Sequence, residues 1–149
     1  MTTDKWQTRF LRLAKEVATW SKDPSTQVGA VIVDQNNRVV SLGFNGFARG
    51  VDDALEIMED REAKLRRMIH AEENALLFAG RDVTDCTIYV THAPCAPCAA
   101  KIIQAGIKKV VFPKPEGDFY SRWVVDMVTA VSMYQEVGVV VIQVETEEK

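Results

Sequence analysis

Cysteine is scarce in this chain, with three among 149 residues. So small and odd a number does not build a disulfide framework, and the pair Cys95-Ala-Pro-Cys98 suits metal or redox chemistry in a reducing compartment. Long apolar runs are missing too, far short of the ~20 residues that a membrane span needs. The opening MTTDKWQTRF is charged early and has no apolar segment of signal-peptide type, so a cytoplasmic protein without a membrane is expected. Charge of one sign does not dominate: 18 Lys and Arg face 21 Asp and Glu, a net −3, which makes no electrostatic case for a nucleic-acid partner. There is no repeat, low-complexity tract or interdomain linker. What is present, 47% hydrophobic and 26% charged residues, argues against disorder and predicts one domain over 1–149 with a single core.

Hydrophobic period orders the elements. Capping side chains at Thr2, Thr3 and Asp4 precede a helix whose Trp6, Phe10, Leu13, Val17 and Trp20 share one buried face. Asp23-Pro24 ends it by 21–25. A doubly buried strand over 27–34 turns at Asn36-Asn37 into a second over 38–44, a hairpin. A glycine-flanked loop, 45–50, leads to a charged helix over 52–68 with the basic cluster Arg61, Lys64, Arg66 and Arg67, read first as a solvated face. Then come a helix over 70–79 stopped by Gly80, a strand over 87–91, a helix over 95–105 stopped by Gly106 and a strand over 108–112. Pro113, Pro115 and Gly117 mark a loop of roughly eight residues that could reach over a site. A helix over 121–136, a strand over 139–144 and an acidic tail over 145–149 close the chain. This order predicts an α/β fold of three layers, α/β/α, around a mixed five-stranded sheet whose last two strands are parallel with a right-handed crossover.

The chemistry concentrates in His70-Ala71-Glu72 and Pro94-Cys95-Ala96-Pro97-Cys98. One imidazole and two thiolates make a tetrahedral zinc set with one position open, as catalytic zinc requires. Cys95 and Cys98 are three apart, so a helical first turn points both sulfurs one way, and a helix start favours the thiolate. Residues two apart on a regular helix diverge by roughly 200°. His70 and Glu72 therefore share a site only if their helix meets the metal end-on, and Glu73 is a geometric rival for the acid/base role. Plainer readings exist. A lone CxxC could be a redox pair, which leaves HAE unexplained, and His92 or Cys86 could close a structural zinc site in a non-catalytic binding module. By default Cys86 is a packed small hydrophobe and Asn45 a turn residue.

H-x-E with P-C-x-x-C is the signature of zinc-dependent nucleobase deaminases. With SKDPSTQVGAVIVD, GFNGFARG, HAEENALLFAG and YVTHAPCAPCAAKIIQAGIKKVVF, the chain resembles the deoxycytidylate (dCMP) deaminase family within the cytidine and deoxycytidylate deaminase superfamily. The resemblance implies a cytidine deaminase-like fold, zinc on His70, Cys95 and Cys98, and Glu72 as proton shuttle. It implies Asn45 on the nucleotide sugar, Ser21 and Lys22 near its phosphate, and the Ala71 N–H facing the pyrimidine carbonyl. Hydrolysis of dCMP to dUMP and ammonia, feeding thymidylate synthesis, would follow. For the phosphate, Lys22, Arg49, Lys114 and Arg122 are the cations and Tyr120 a neutral donor, with Tyr120 and Arg122 preferred because they follow the carboxyl end of a strand. Such enzymes are homohexamers activated by dCTP and inhibited by dTTP, which would place effector contacts at Asn45, Gly46, Arg49 and Gly50. Ala48 stands where many members have proline, and 46–69 holds no Cys or His for a second zinc, so one Zn2+ per chain is expected. The rivals are cytidine, guanine and tRNA-adenosine deaminases. The helix between the last two strands argues against the first, and the mildly acidic balance against the last.

Overall fold

The structure, a computed structural model, describes residues 4–145, apart from the side chains of 118–123. Helix α1, Lys5–Ala18, starts where the Asp4 carboxylate accepts the Trp6 N–H at 2.8 Å; Thr2 and Thr3 lie outside the described residues. Phe10, Leu11, Ala14 and Val17 form its buried face. Trp20 does not belong to it. The helix ends at Ala18, so Trp20 loses the helical period and sits half-exposed, edge-on to Phe44.

Strand β1, Gly29–Val33, pairs antiparallel with β2, Val39–Phe44, across a turn in which the Asp34 carboxylate accepts from the Asn36 and Arg38 amides. The 45–50 loop is partly ordered as a strand: β3, Gly46–Phe47, pairs with β4, Met68–Ile69. The helix expected over 52–68 is two helices, α2 (Leu55–Glu59) and α3 (Arg61–Arg67). Asp60 breaks it by adopting an extended backbone and capping α3, its carboxylate accepting the Ala63 N–H. Helix α4, Ala71–Leu77, strand β5, Thr87–Val90, helix α5, Ala96–Gln104, and strand β6, Lys109–Pro113, follow. Helix α6, Gly117–Val137, starts four residues before its expected position, and β7, Val140–Val144, ends the sheet. The expected long loop shrinks to 114–116, because Lys114 still bonds the β7 carbonyl of Val144.

The sheet order is β2-β1-β5-β6-β7, with β1 antiparallel to both neighbours and β5, β6 and β7 parallel. The layers are those the element order predicted. Val31, Val33, Tyr89 and Val111 pack against α1, while Ile32, Ile88, Val90, Val110 and Phe112 point to the face that holds α4, α5 and α6. Gly43 lets α4 lie directly on β2, since a Cβ there would overlap the Ala71 carbonyl and the Ala75 amide. That contact sets the height of the helix start that carries His70. Among the described residues no helix is long and apolar enough to cross a membrane.

Candidate active site

Two helix starts converge. His70 is the N-cap of α4 and Cys95 the N-cap of α5, both with extended backbone (ψ 157° and 166°). An N-cap residue stands off the helical spiral, which resolves the two-residue spacing: His70 turns off the helix end while Glu72 keeps its helical direction. His70 Nδ1 lies 3.1 Å from Cys98 Sγ and 3.5 Å from Cys95 Sγ, and the three ligand atoms lie within 4.8 Å of one another. Ligands held at zinc distances are separated by roughly 3.5 Å in a tetrahedron, so this donor set fits the metal. His92 and Cys86 are outside the cluster: His92 contacts Thr91 Oγ1 at 3.0 Å and lines the cavity, and Cys86 is packed in the core.

Electrostatics set the three donors apart. A hydrogen bond from Cys98, joined by His70, brings the Cys95 thiol down to about 4, a thiolate. Sharing that proton and being buried push Cys98 up, and the Cys95 sulfur raises His70. The two glutamates separate cleanly. Glu73 folds back on its own helix, accepting the His70 N–H at 2.9 Å and pairing with Lys101 at 2.8 Å. Burial raises its carboxyl, but Lys101 and the His70 amide outweigh it and hold it low. Glu72 is buried on the cavity wall, and burial first, then the Cys95 and Glu73 charges, push it up to about 7 against the pull of its own amide and His70. A carboxyl of that kind, beside a cluster of metal donors, can move protons at neutral pH.

The cavity holds about 550 Å³, a size suited to a small molecule. His70, Ala71, Glu72 and Cys95 form one end of its lining, and Asp23, Ser25, Arg61 and Lys64 line it too. Asp23, which the sequence reading did not single out, organises that wall. Its Oδ1 accepts from the Ser25 and Thr26 amides and from Lys64 Nζ at 2.8 Å, and Oδ2 accepts from Asn45 Nδ2. Burial raises the Asp23 carboxyl, but Lys64 and the two amides prevail and hold it below the ordinary value. Asn45 lines the cavity with its amide committed inward, donating to Asp23 and to the Thr26 carbonyl and accepting the Val28 N–H.

The expected phosphate contacts fare differently. Ser21 is buried and bonded to the Asn45 carbonyl, Lys22 pairs with Asp53 at the surface, Arg49 lies over the Phe78 ring and Lys114 pairs with Glu145; none lines the cavity. The Tyr120 and Arg122 side chains lie outside the described residues. Among the described residues the cations that line it are Arg61 and Lys64, from the cluster read as a solvated face. The spacing Arg61 to Lys64, three apart on one helix, was the available signal. Of the loop residues, Gly46 pairs with Ile69, next to His70, and Gly50 turns with φ +83°.

Residues 4–114 match the profile of the cytidine and deoxycytidylate deaminase zinc-binding region. The chain belongs to the cytidine and deoxycytidylate deaminase family. Membership makes it an enzyme of the hydrolytic deaminase class. An uncharacterised deaminase of the luxG 3′ region in Aliivibrio fischeri is 53% identical over 91% of this chain and 90% of that one. Human deoxycytidylate deaminase is 43% identical over 72% of this chain, which spans 64% of the human protein's length. In fold, the crystal structure of a cyanophage S-TIM5 dCMP deaminase in complex with dCMP and dUMP superposes with a TM-score of 0.71 at 22% identity, covering 96% of this chain and 99% of that one. The likeness is one of fold, and it spans the five-stranded sheet of this chain.

Proposed function

We propose that the chain hydrolyses dCMP to dUMP and ammonia with one Zn2+ per chain, supplying dUMP for thymidylate synthesis. The observation that carries this reading is Glu72, buried on the cavity wall beside a three-donor cluster that no fourth described side chain completes. A structural zinc site has no use for that carboxyl. The human relative named deoxycytidylate deaminase supports the substrate.

His70 through Nδ1, and Cys95 and Cys98 through sulfur, would hold Zn2+, a borderline-soft ion matched to such donors. When bound, zinc supplies a water acidic enough to be deprotonated near neutral pH. Glu72 takes the proton from the attacking water and delivers it to ring N3, which makes C4 electrophilic. As the C4–O bond forms, Glu72 takes the second proton and passes it to the amino nitrogen, and the C4–N bond breaks with release of ammonia. Burial raises its carboxyl, which suits a group that both takes and gives a proton. The Ala71 N–H faces the pyrimidine carbonyl, and Asn45, whose side-chain oxygen already accepts the Val28 N–H, offers the sugar that oxygen's second lone pair. Arg61, with no ion-pair partner among the described residues, and Lys64, whose third N–H is uncommitted by its bonds to Asp23 and Ser25, take the phosphate.

Control by dCTP and dTTP at the 45–50 loop belongs to the same reading. The β3–β4 ribbon ties Gly46 to Ile69, so a displaced loop moves the residue next to His70. Homohexamer formation belongs to the same reading, and the exposed aromatics Trp20, Phe44 and Phe78 offer apolar surface for a second copy to cover. The test is ammonia release from dCMP, deoxycytidine and CMP by zinc-loaded protein, with and without dCTP and dTTP. Turnover of dCMP alone is the expected result. Inactivity on all three with zinc bound would overturn the reading in favour of a nucleic-acid deaminase or a non-catalytic zinc module.

A further inference from the structure

Helix α6 lies beyond the residues that match the family profile, yet it reaches the metal loop. The carboxylate of Asp126 accepts the backbone N–H of Ala96, the first residue of α5. The first turn of α5 has few other donors to place. Pro97 has none, the Cys98 N–H goes to the Cys95 sulfur, and the Ala99 N–H bonds the Cys95 carbonyl at 2.8 Å. The Ala96 N–H is left, and its partner comes from 30 residues further along the chain. Asp126 stands on a firm base, since Met127, Ala130 and Tyr134 of the same helix are buried, the last two in the core that holds α5.

We infer that Asp126 is a positioning residue of the metal centre: through the Ala96 amide it sets the peptide between Cys95 and the α5 helix, and so the aim of the Cys95 sulfur at His70. A carboxylate on a helix-start amide makes a charge-assisted bond aligned with the helix dipole, stronger than a neutral acceptor would make. If the bond is lost, the peptide after Cys95 is held at its carbonyl alone, by the Ala99 N–H, and the aim of one of three donors loosens while the other two keep theirs. Sequence spacing gives no hint of this, because nothing local links residue 126 to residue 96. The inference rests on the metal reading of the His70, Cys95 and Cys98 cluster.

The test compares wild type, Asp126→Ala, Asp126→Asn and the exposed control Thr129→Ala. Zinc affinity is measured by competition with a chromophoric chelator, and the ligand field by the visible spectrum of the Co2+-loaded protein. Asp126→Ala is expected to weaken zinc binding 10- to 100-fold, the usual cost of removing an outer partner of a metal ligand, and to shift the cobalt bands. Asp126→Asn, which keeps an acceptor oxygen without the charge, should fall between. Unchanged affinity and spectrum in Asp126→Ala would overturn the inference, as would equal loss of Tm in metal-free and metal-loaded protein, the mark of a merely structural contact. Should the alanine variant fail to fold, unchanged affinity and spectrum in Asp126→Asn would do the same. Wild type that binds no metal would overturn the metal reading itself, which separates the two failures.

Discussion

The metal end of the cavity rests on two helix starts, His70 and Cys95, whose neighbours in sequence supply most of the bonds that shape them. The wall bearing Arg61 and Lys64 rests on Asp23, which reaches Asn45 and Lys64, 22 and 41 residues away. The first region takes much of its local shape from near neighbours and is built on rigid elements, as positioned chemistry requires. The second depends on the α2–α3 arm staying docked, through buried Met58 and the Lys64–Asp23 pair, so it is the part most easily altered without touching the reaction.

The largest effect should come from the rigid end. Glu72→Gln keeps the shape and the metal donors but not the proton shuttle, so kcat on dCMP should fall by about 10²- to 10⁴-fold with zinc content retained. Full activity in that variant would remove Glu72 from the reaction. Gly43→Val tests whether the height of α4 sets the site. The added side chain meets helix backbone, which cannot rotate away, so stability should drop by about 1–3 kcal/mol or more in thermal unfolding, with weaker zinc retention.

At the other wall, Lys64→Met leaves Asp23 buried with one donor fewer, a loss of about 1–2 kcal/mol by denaturant titration, discounted because Lys64 keeps 15% of its side chain exposed. Its pH signature has a definite sign. Asp23 is held below its ordinary value in the fold, so its charged form stabilises the protein above the unfolded value and that stability disappears as pH falls through the folded one. Without Lys64 the carboxyl rises, and the acid-unfolding midpoint should move to higher pH. Smallest of all, Arg61→Ala should raise KM for dCMP roughly 3- to 10-fold, the worth of one charge-assisted contact. The ratio of kcat/KM on dCMP to that on deoxycytidine should fall by the same factor, and an unchanged ratio would move the phosphate elsewhere.

The two regions also differ in how much of them could be read from residues. HAE, PCAPC and their order were legible because their roles follow from helix-start geometry within five residues, and the strands were legible from their β-branched runs. The break at Asp60 was not, since its capping role competes with the helix period around it. Arg61 and Lys64 read as a solvated face because periodicity reports a helix side and not what packs against it. Between Glu72 and Glu73 the spacing left a tie that a nonlocal ion pair to Lys101 breaks.

The sequence by itself determined the family, the layer order and the His and two Cys that come together as a candidate donor set, because each rests on local backbone rules and on a spacing that chemistry constrains. Only the tertiary structure decided which glutamate faces the cavity, which described cations line it, that Asp23 holds Lys64 and Asn45, and that Asp126 meets the Ala96 amide. Those are contacts between segments 22 to 41 residues apart. Their energies depend on burial and mutual orientation, and neither exists until the sheet has brought the segments together.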